Sequence, residues 1–182
     1  MKSHLAGVLF EASEISKRIA EMAQEIERDY AGKELSIVVL MDGALFFVAD
    51  LLRLINLPLR IHSLSVSSYH GETSSSGEVK MPQTLTFDFR NRHVLLLDDI
   101  LDTGLTLSAV QQIITDKCQP ESLRTAVLLD KKRPRLREAK ADYVGFEIED
   151  EFVVGYGMDF NGHYRNLPCI GILHPSRYQT IS

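Results

Sequence analysis

The chain has 182 residues, 45% apolar and 25% charged, the composition of a soluble globular domain. A chain of this length buries about 70% of its unfolded surface, so no disulfide or metal is needed to hold its core. Its 25 acidic and 20 basic residues leave a net charge of −5, which argues against a surface that grips nucleic acid or anionic lipid along its whole extent.

The longest apolar runs, Ile37 to Met41 and Ala44 to Ala49, fall far short of the roughly 18 residues of a membrane span. Leu5 to Phe10 is apolar, but Glu11 and Glu14 follow without a small-residue cleavage site, so the segment is a poor signal peptide. Cys118 and Cys169 lie far apart with no second cysteine or histidine cluster beside them. They are expected to be reduced structural thiols, and the cytoplasm is the expected compartment.

In chain order, Ile15, Ile19, Met22, Ala23, Ile26 and Tyr30 recur at helical spacing and predict an amphipathic helix over residues 13–30. Residues 35–41 read as a buried strand, closed by the Asp42-Gly43 turn signal. Ala44 to Ile55 reads as a helix ended by Asn56-Leu57-Pro58, and Leu59 to Val66 as a second strand. Ser67 to Pro82 is polar and glycine-containing with no periodic apolar pattern, the mark of a functional loop or lid. Leu85, Phe87 and Phe89 alternate with Thr86 and Asp88 as a short strand. His93 to Leu97 is another buried run. Leu107, Val110, Ile114 and Cys118 stripe a following helix, and Leu123 to Leu129, Tyr143 to Ile148 and Cys169 to Leu173 supply further strands. Strands with so little alternation are buried on both faces, which predicts a doubly wound α/β fold around a mainly parallel sheet. Ligands of such sheets bind beyond the carboxyl ends of the strands, so the loops after Leu40, Leu97 and Leu129 are the ones to inspect.

The loop after Leu97 is the most informative. Four apolar residues deliver Asp98 and Asp99, and after Ile100-Leu101 come Asp102, Thr103, Gly104, Leu105 and Thr106. A glycine for the turn, free amides at a helix start and two threonine hydroxyls suit a phosphate. Adjacent carboxylates suit sugar hydroxyls and Mg²⁺. A helix N-cap accounts for Asp102 or Thr103 alone, but not for three carboxylates in five positions behind a buried run.

This stretch resembles the phosphoribosyl diphosphate (PRPP) motif of type I phosphoribosyltransferases: an apolar run, two acidic residues, two apolar residues, then D-T-G-x-T. The resemblance covers nearly the whole chain and is strongest to the purine branch. Val38 to Ala44 resembles that branch's first active-site loop, Ser68-Tyr69 the start of its lid (about residues 68–82), and Leu128 to Pro134 and Phe152 to Asp159 its purine-binding segments. Phe160 to Asn166, with Arg165, resembles its pyrophosphate side.

The resemblance implies one domain over residues 1–182, with its core at about 30–150. A small hood would be built from the C-terminal segment, with the N-terminal one as a candidate addition. The implied activity is Mg²⁺-dependent transfer of 5-phosphoribose from PRPP to N9 of hypoxanthine, and of guanine too, giving IMP or GMP and pyrophosphate. Asp98, Asp99, Asp102, Thr103, Gly104, Leu105 and Thr106 would bind PRPP and its 5′-phosphate, with Asp102 as general base near purine N7. Asp42, Gly43 and Arg165 would meet the pyrophosphate. Lys131 would read O6, Phe152 stack on the base, Val153 meet its edge through the backbone, and Asp159 complete the purine side. Asp98, Asp99 and Asp159 would carry the metal. A homodimer or homotetramer is implied, with no nucleic-acid or membrane partner.

The chain departs from parts of the family. Asp98-Asp99 stands where many members have Glu then Asp, and Met41-Asp42-Gly43-Ala44 where a lysine and two glycines are common, so no lysine side chain reaches the pyrophosphate there. The resemblance also implies a cis bond before Asp42. The basic run Lys131 to Lys140 reads as a solvated turn, apart from Lys131 itself. Two rival readings remain: a phosphoribosyltransferase for another base such as xanthine or uracil, and a regulator that senses PRPP and binds RNA or DNA.

Overall fold

The structure, a computed structural model, describes residues 1–65 and 87–178. Its first elements are strand β1 (Leu5–Phe10), helix α1 (Ala12–Asp29), strand β2 (Leu35–Met41), helix α2 (Leu45–Leu52) and strand β3 (Leu59–Ser65). Strand β4 (His93–Leu101), helix α3 (Leu105–Ile113), strands β5 (Ser122–Lys131) and β6 (Tyr143–Ile148), and the short β7 (Val153–Val154) and β8 (Ile170–Leu173) follow, with a π-helical turn Ile114–Cys118 continuing α3. Five strands form one sheet in the order β3-β2-β4-β5-β6, every pair parallel.

The near-continuous apolar strands are explained by two separate cores. Ile37, Val39, Leu95, Leu97, Ala126 and Leu128 point to one face and pack with Ile15, Ile19, Ile26 of α1 and Phe47, Leu51 of α2. Their sequence neighbours Val38, Leu40, Val94, Leu96 and Val127 point to the other face and pack with Leu107 and Val110 of α3. Period-two alternation therefore sorts residues between two buried faces instead of between core and water.

Helix α1 begins with a reciprocal cap: the Glu11 side chain accepts from the Glu14 amide, and the Glu14 carboxylate accepts from the Glu11 amide at 2.9 Å. A second sheet, β1-β8-β7, is antiparallel and joins the N-terminal strand to the C-terminal segment.

Several boundaries differ from the sequence expectations. The second helix stops at Leu52 rather than Ile55. Strand β4 does not end at Leu97; it runs through Asp98 and Asp99 to Leu101, held in register by β5, with Asp98 opposite Val127 and Ile100 opposite Leu129. The expected strand at Leu85–Phe89 lies partly outside the described residues, and Phe87 to Phe89 form no strand. There Phe89 is buried because it packs against His62 and Phe87, which gives the alternation without a ladder. The lid, including Ser68 and Tyr69, lies outside the described residues.

Strand β3 lies on one side of β2 and strands β4, β5 and β6 on the other. The chain thus reverses its winding direction between β2 and β4, which is where an open α/β sheet presents its ligand crevice.

Candidate active site

At the carboxyl end of β2 the chain turns through the cis peptide Met41–Asp42 into Gly43. A Cβ added at Gly43 would overlap the Asp99 carboxylate, and one added at Gly157, where φ is +104°, would overlap the Gly43 carbonyl. Glycine is required at both because backbone meets carboxylate and backbone meets backbone. Residues far apart in sequence (Asp42-Gly43, Asp99 and Gly157) thus form one packed wall.

Behind that wall stand the two adjacent carboxylates. The Asp99 amide donates to Asp98 Oδ1 and the Ile100 amide to Asp99 Oδ1, both at 3.0 Å. Asp98 is 8% exposed. Burial, and then the Asp99 charge beside it, hold its carboxyl well above the ordinary carboxylate range. Burial raises Asp99 as well, while the field of Arg165 works against the rise. Among the described residues neither carboxylate forms an ion pair with the protein, so this pair is short of positive charge.

Arg165 lies on the same side. Its Nη1 donates to the Gly157 carbonyl at 2.6 Å and its Nη2 meets Asp159 Oδ1 at 2.9 Å. Asp159 Oδ2 accepts from the Gly162 amide at 2.7 Å. Asp159, expected to carry metal on the pyrophosphate side, is thus paired with Arg165 and stands apart from Asp98 and Asp99. Among the described residues no group of three or more His, Cys, Asp or Glu converges, because Asp159 is turned to Arg165 and its own loop.

Past Leu101 the chain turns through Asp102, Thr103 and Gly104, the last with φ of +80°. Gly104 precedes α3, and no side chain caps that helix. First-turn amides and the positive end of the helix dipole are left for an anion. The Thr103 carbonyl accepts from the amides of Leu136 and Arg137 at 2.9 and 3.3 Å, so the basic segment folds over this loop and fixes it. Lys132, Pro134, Leu136, Arg137, Glu138 and Lys140 stay exposed, as a solvated turn with Lys131 as the exception requires. Arg135 turns inward to the Asp130 carboxylate and the Ala139 carbonyl, because buried backbone acceptors beneath the turn need donors.

Lys131, the last residue of β5, is 8% exposed. Its Nζ donates to Asp102 Oδ2 at 3.1 Å. Phe152 is 36% exposed; Tyr178 stacks on its ring at 4.7 Å and Phe160 presents an edge at 5.6 Å. Val153 follows in β7, buried beside it. Of the sequence-expected residues, Asp42, Gly43, Asp98, Asp99 and Arg165 lie at one end of the crevice. Thr103 to Thr106 sit at the head of α3, and Asp102 with Lys131 on the adjoining strand ends. Sequence reasoning missed Arg133, Asp150 and Tyr178; the first two are charges in a run that looks like ordinary surface.

A parallel sheet with buried carboxylates and a free helix N-terminus beside its switch point, and an inward lysine at the end of the next strand, has the donors of an α/β protein suited to a phosphorylated ligand. The phosphoribosyl transferase domain model matches residues 8–161. Hypoxanthine-guanine phosphoribosyltransferase from Bacillus subtilis strain 168 is 40% identical over 180 residues, covering 99% of each chain. The crystal structure of a Staphylococcus aureus hypoxanthine phosphoribosyltransferase superposes with a TM-score of 0.91 at 40% identity, covering 99% of this chain and 97% of that one. A mutant of the Trypanosoma cruzi hypoxanthine phosphoribosyltransferase, in its ternary substrates complex, gives a TM-score of 0.88 at 37% identity, covering 97% of this chain and 100% of that one. The chain belongs to the phosphoribosyltransferase family.

Proposed function

We propose that the protein is a purine-salvage enzyme that transfers 5-phosphoribose from PRPP to N9 of hypoxanthine, and also of guanine, releasing pyrophosphate and IMP or GMP. The observation that carries this reading is the approach of Lys131 to Asp102 across two neighbouring strand ends. A donor-only ammonium and a carboxylate acceptor side by side match the O6 and N7–H edge of a 6-oxopurine.

In this reading the amides and hydroxyls of Thr103 to Thr106 hold the 5′-phosphate, and Asp98 and Asp99 hold the ribose hydroxyls. Asp42, Gly43 and Arg165 face the pyrophosphate, with Asp159 keeping Arg165 oriented. Phe152 supplies the stacking face, Val153 the backbone edge. As the bond to pyrophosphate lengthens, positive charge grows on the ribose ring, and fixed carboxylates beside the sugar stabilise it. Asp102 accepts the N7 proton as N9 takes the sugar.

Mg²⁺ fits the Asp98–Asp99 pair, whose raised carboxyls are short of positive charge and whose oxygens are the donors a hard cation takes. Bound there with substrate oxygens, it would supply charge to the departing pyrophosphate. In the same reading the strands β1, β7 and β8 form the hood of a single domain. A homodimer or homotetramer is the assembly proposed, since α2 and the edge strand β3 leave Leu45, Phe46 and Ile61 exposed. No described helix is long and apolar enough to cross a membrane, and both cysteines are free and buried; the cytoplasm is the setting proposed.

The test is base selectivity. Adenine presents an amino group to the Lys131 donor and forfeits its charged hydrogen bond, so hypoxanthine is expected to exceed adenine in kcat/KM by at least about tenfold. Lys131→Gln, which can accept as well as donate, is expected to lower hypoxanthine turnover and shrink that ratio. An unchanged ratio would remove Lys131 as the base reader.

A further inference from the structure

The charge cluster around Asp102 contains a second cation. Arg133 Nη1 lies 3.1 Å from Asp102 Oδ1 and 3.2 Å from Asp150 Oδ1. Lys131 Nζ lies 3.1 Å from Asp102 Oδ2 and 3.8 Å from Asp150 Oδ1. The two oxygens of Asp102 are thus divided: Oδ2 belongs to the lysine and Oδ1 to the arginine. Arg133 is held in this place at a cost, because its Nε is buried and has no acceptor among the described residues.

We infer that Arg133 is a positioning residue for the transfer reaction: it sets the rotation of the Asp102 carboxylate and keeps that carboxylate in place when Lys131 engages a base. The inference rests on the reading of Lys131 as the O6 donor and Asp102 as the acceptor at N7. O6 and N7 lie side by side on one purine edge, so a base on Lys131 meets the Asp102 oxygen nearest that lysine, Oδ2. The lysine must then share or surrender its bond to Oδ2. With Lys131 as the only partner, Asp102 would lose its restraint at the moment it has to point at N7. Arg133 grips the other oxygen, which the base does not contest. A planar guanidinium fixed by a second carboxylate holds direction better than a flexible ammonium. Asp150 supplies that second anchor, so Arg133 is not free to follow Asp102 into a collapsed pair.

Such a role predicts a loss in turnover more than in ligand affinity, since the restraint matters at proton transfer. Arg133→Met keeps most of the aliphatic stem and removes the charge and its hydrogen bonds. It is expected to lower kcat about tenfold, the low end of what a charged hydrogen bond is worth, with KM for PRPP within about twofold of the parent. Arg133→Lys is expected to recover most of the loss.

The decisive arm is a double-mutant cycle with Asp102→Asn. If Arg133 acts through the Asp102 carboxylate, Arg133→Met costs less than about twofold in the Asp102→Asn background. An unchanged kcat for Arg133→Met, or the same tenfold loss in both backgrounds, overturns the inference. A melting temperature for each variant separates a folding defect, which would lower both backgrounds alike, from the coupled loss. If Asp102→Asn alone leaves turnover at the parent level, it is the general-base reading that fails, a result distinct from the failure of Arg133.

Discussion

Asp102 is the residue whose removal speaks most directly to the chemistry. Lys131 and Arg133 both lie within ion-pair reach of it, and it stands between the end of β4 and the start of α3. If Asp102 is the acceptor for the N7 proton, as proposed, Asp102→Ala is expected to cut turnover by about 10²–10⁴, the worth of a positioned base. Steady-state rates with saturating PRPP and hypoxanthine check it; turnover near the parent value would mean that another group, or water, takes the proton. Asp98 and Asp99 differ in kind. They stand out in sequence because two carboxylates rarely follow four buried apolar residues. The partners of Asp102 do not. Arg133 and Asp150 sit in charge-rich stretches where an exposed side chain is the ordinary outcome, and the pairing of Arg133 with both Asp102 and Asp150 joins segments that no local pattern connects.

The elements position these residues by close backbone approach. Gly157 packs its Cα against the Gly43 carbonyl, and Gly43 packs against Asp99. Gly157→Ala places a methyl group where a carbonyl already stands and strains a φ of +104°. It is expected to abolish most activity while the five-stranded sheet, which lies elsewhere, remains folded. Circular dichroism beside the activity assay tests this; an active Gly157→Ala protein would show that the wall moves freely.

At the opposite, amino-terminal end of the sheet, α1 is tied down by Asp29, whose Oδ2 accepts from Arg124 Nη1 at 2.6 Å and from the Tyr143 hydroxyl at 2.8 Å. Those bonds, the Tyr143 one foremost, hold the Asp29 carboxyl below its ordinary range. A depressed folded value means that the stabilisation is complete above the unfolded carboxylate value of about pH 4 and is lost as pH falls through the lower folded value. Asp29→Ala is expected to cost about 1 kcal/mol near neutrality, with the difference from the parent shrinking in acid. Urea midpoints from neutral to acidic pH measure it, and a difference constant with pH would contradict the ion pair.

Across the whole molecule, the parallel sheet was legible because buried strands leave a plain apolar signature. Residues 35–41 and 143–148 were read to the residue. The end of β4 was misplaced because carboxylates look like loop residues, whereas here the β5 ladder carries the strand past them to Leu101. Strand β1 left no usable signal. Its partner β8 lies at the other end of the chain, and a six-residue apolar run by itself does not announce a pairing over that separation. The same non-local logic hid the Gly43–Gly157 contact and the Phe152–Tyr178 stack, which join segments that no local pattern connects.

In the proposed reaction the protein makes a nucleotide from PRPP and a 6-oxopurine. The most direct measurement is nucleotide formation from PRPP and Mg²⁺ with hypoxanthine, guanine, xanthine, adenine and uracil in parallel, each beside an EDTA control. Product is expected with hypoxanthine and guanine, little with adenine or uracil, and none once EDTA is added. No product with any base, while PRPP still binds, would contradict the proposed reaction.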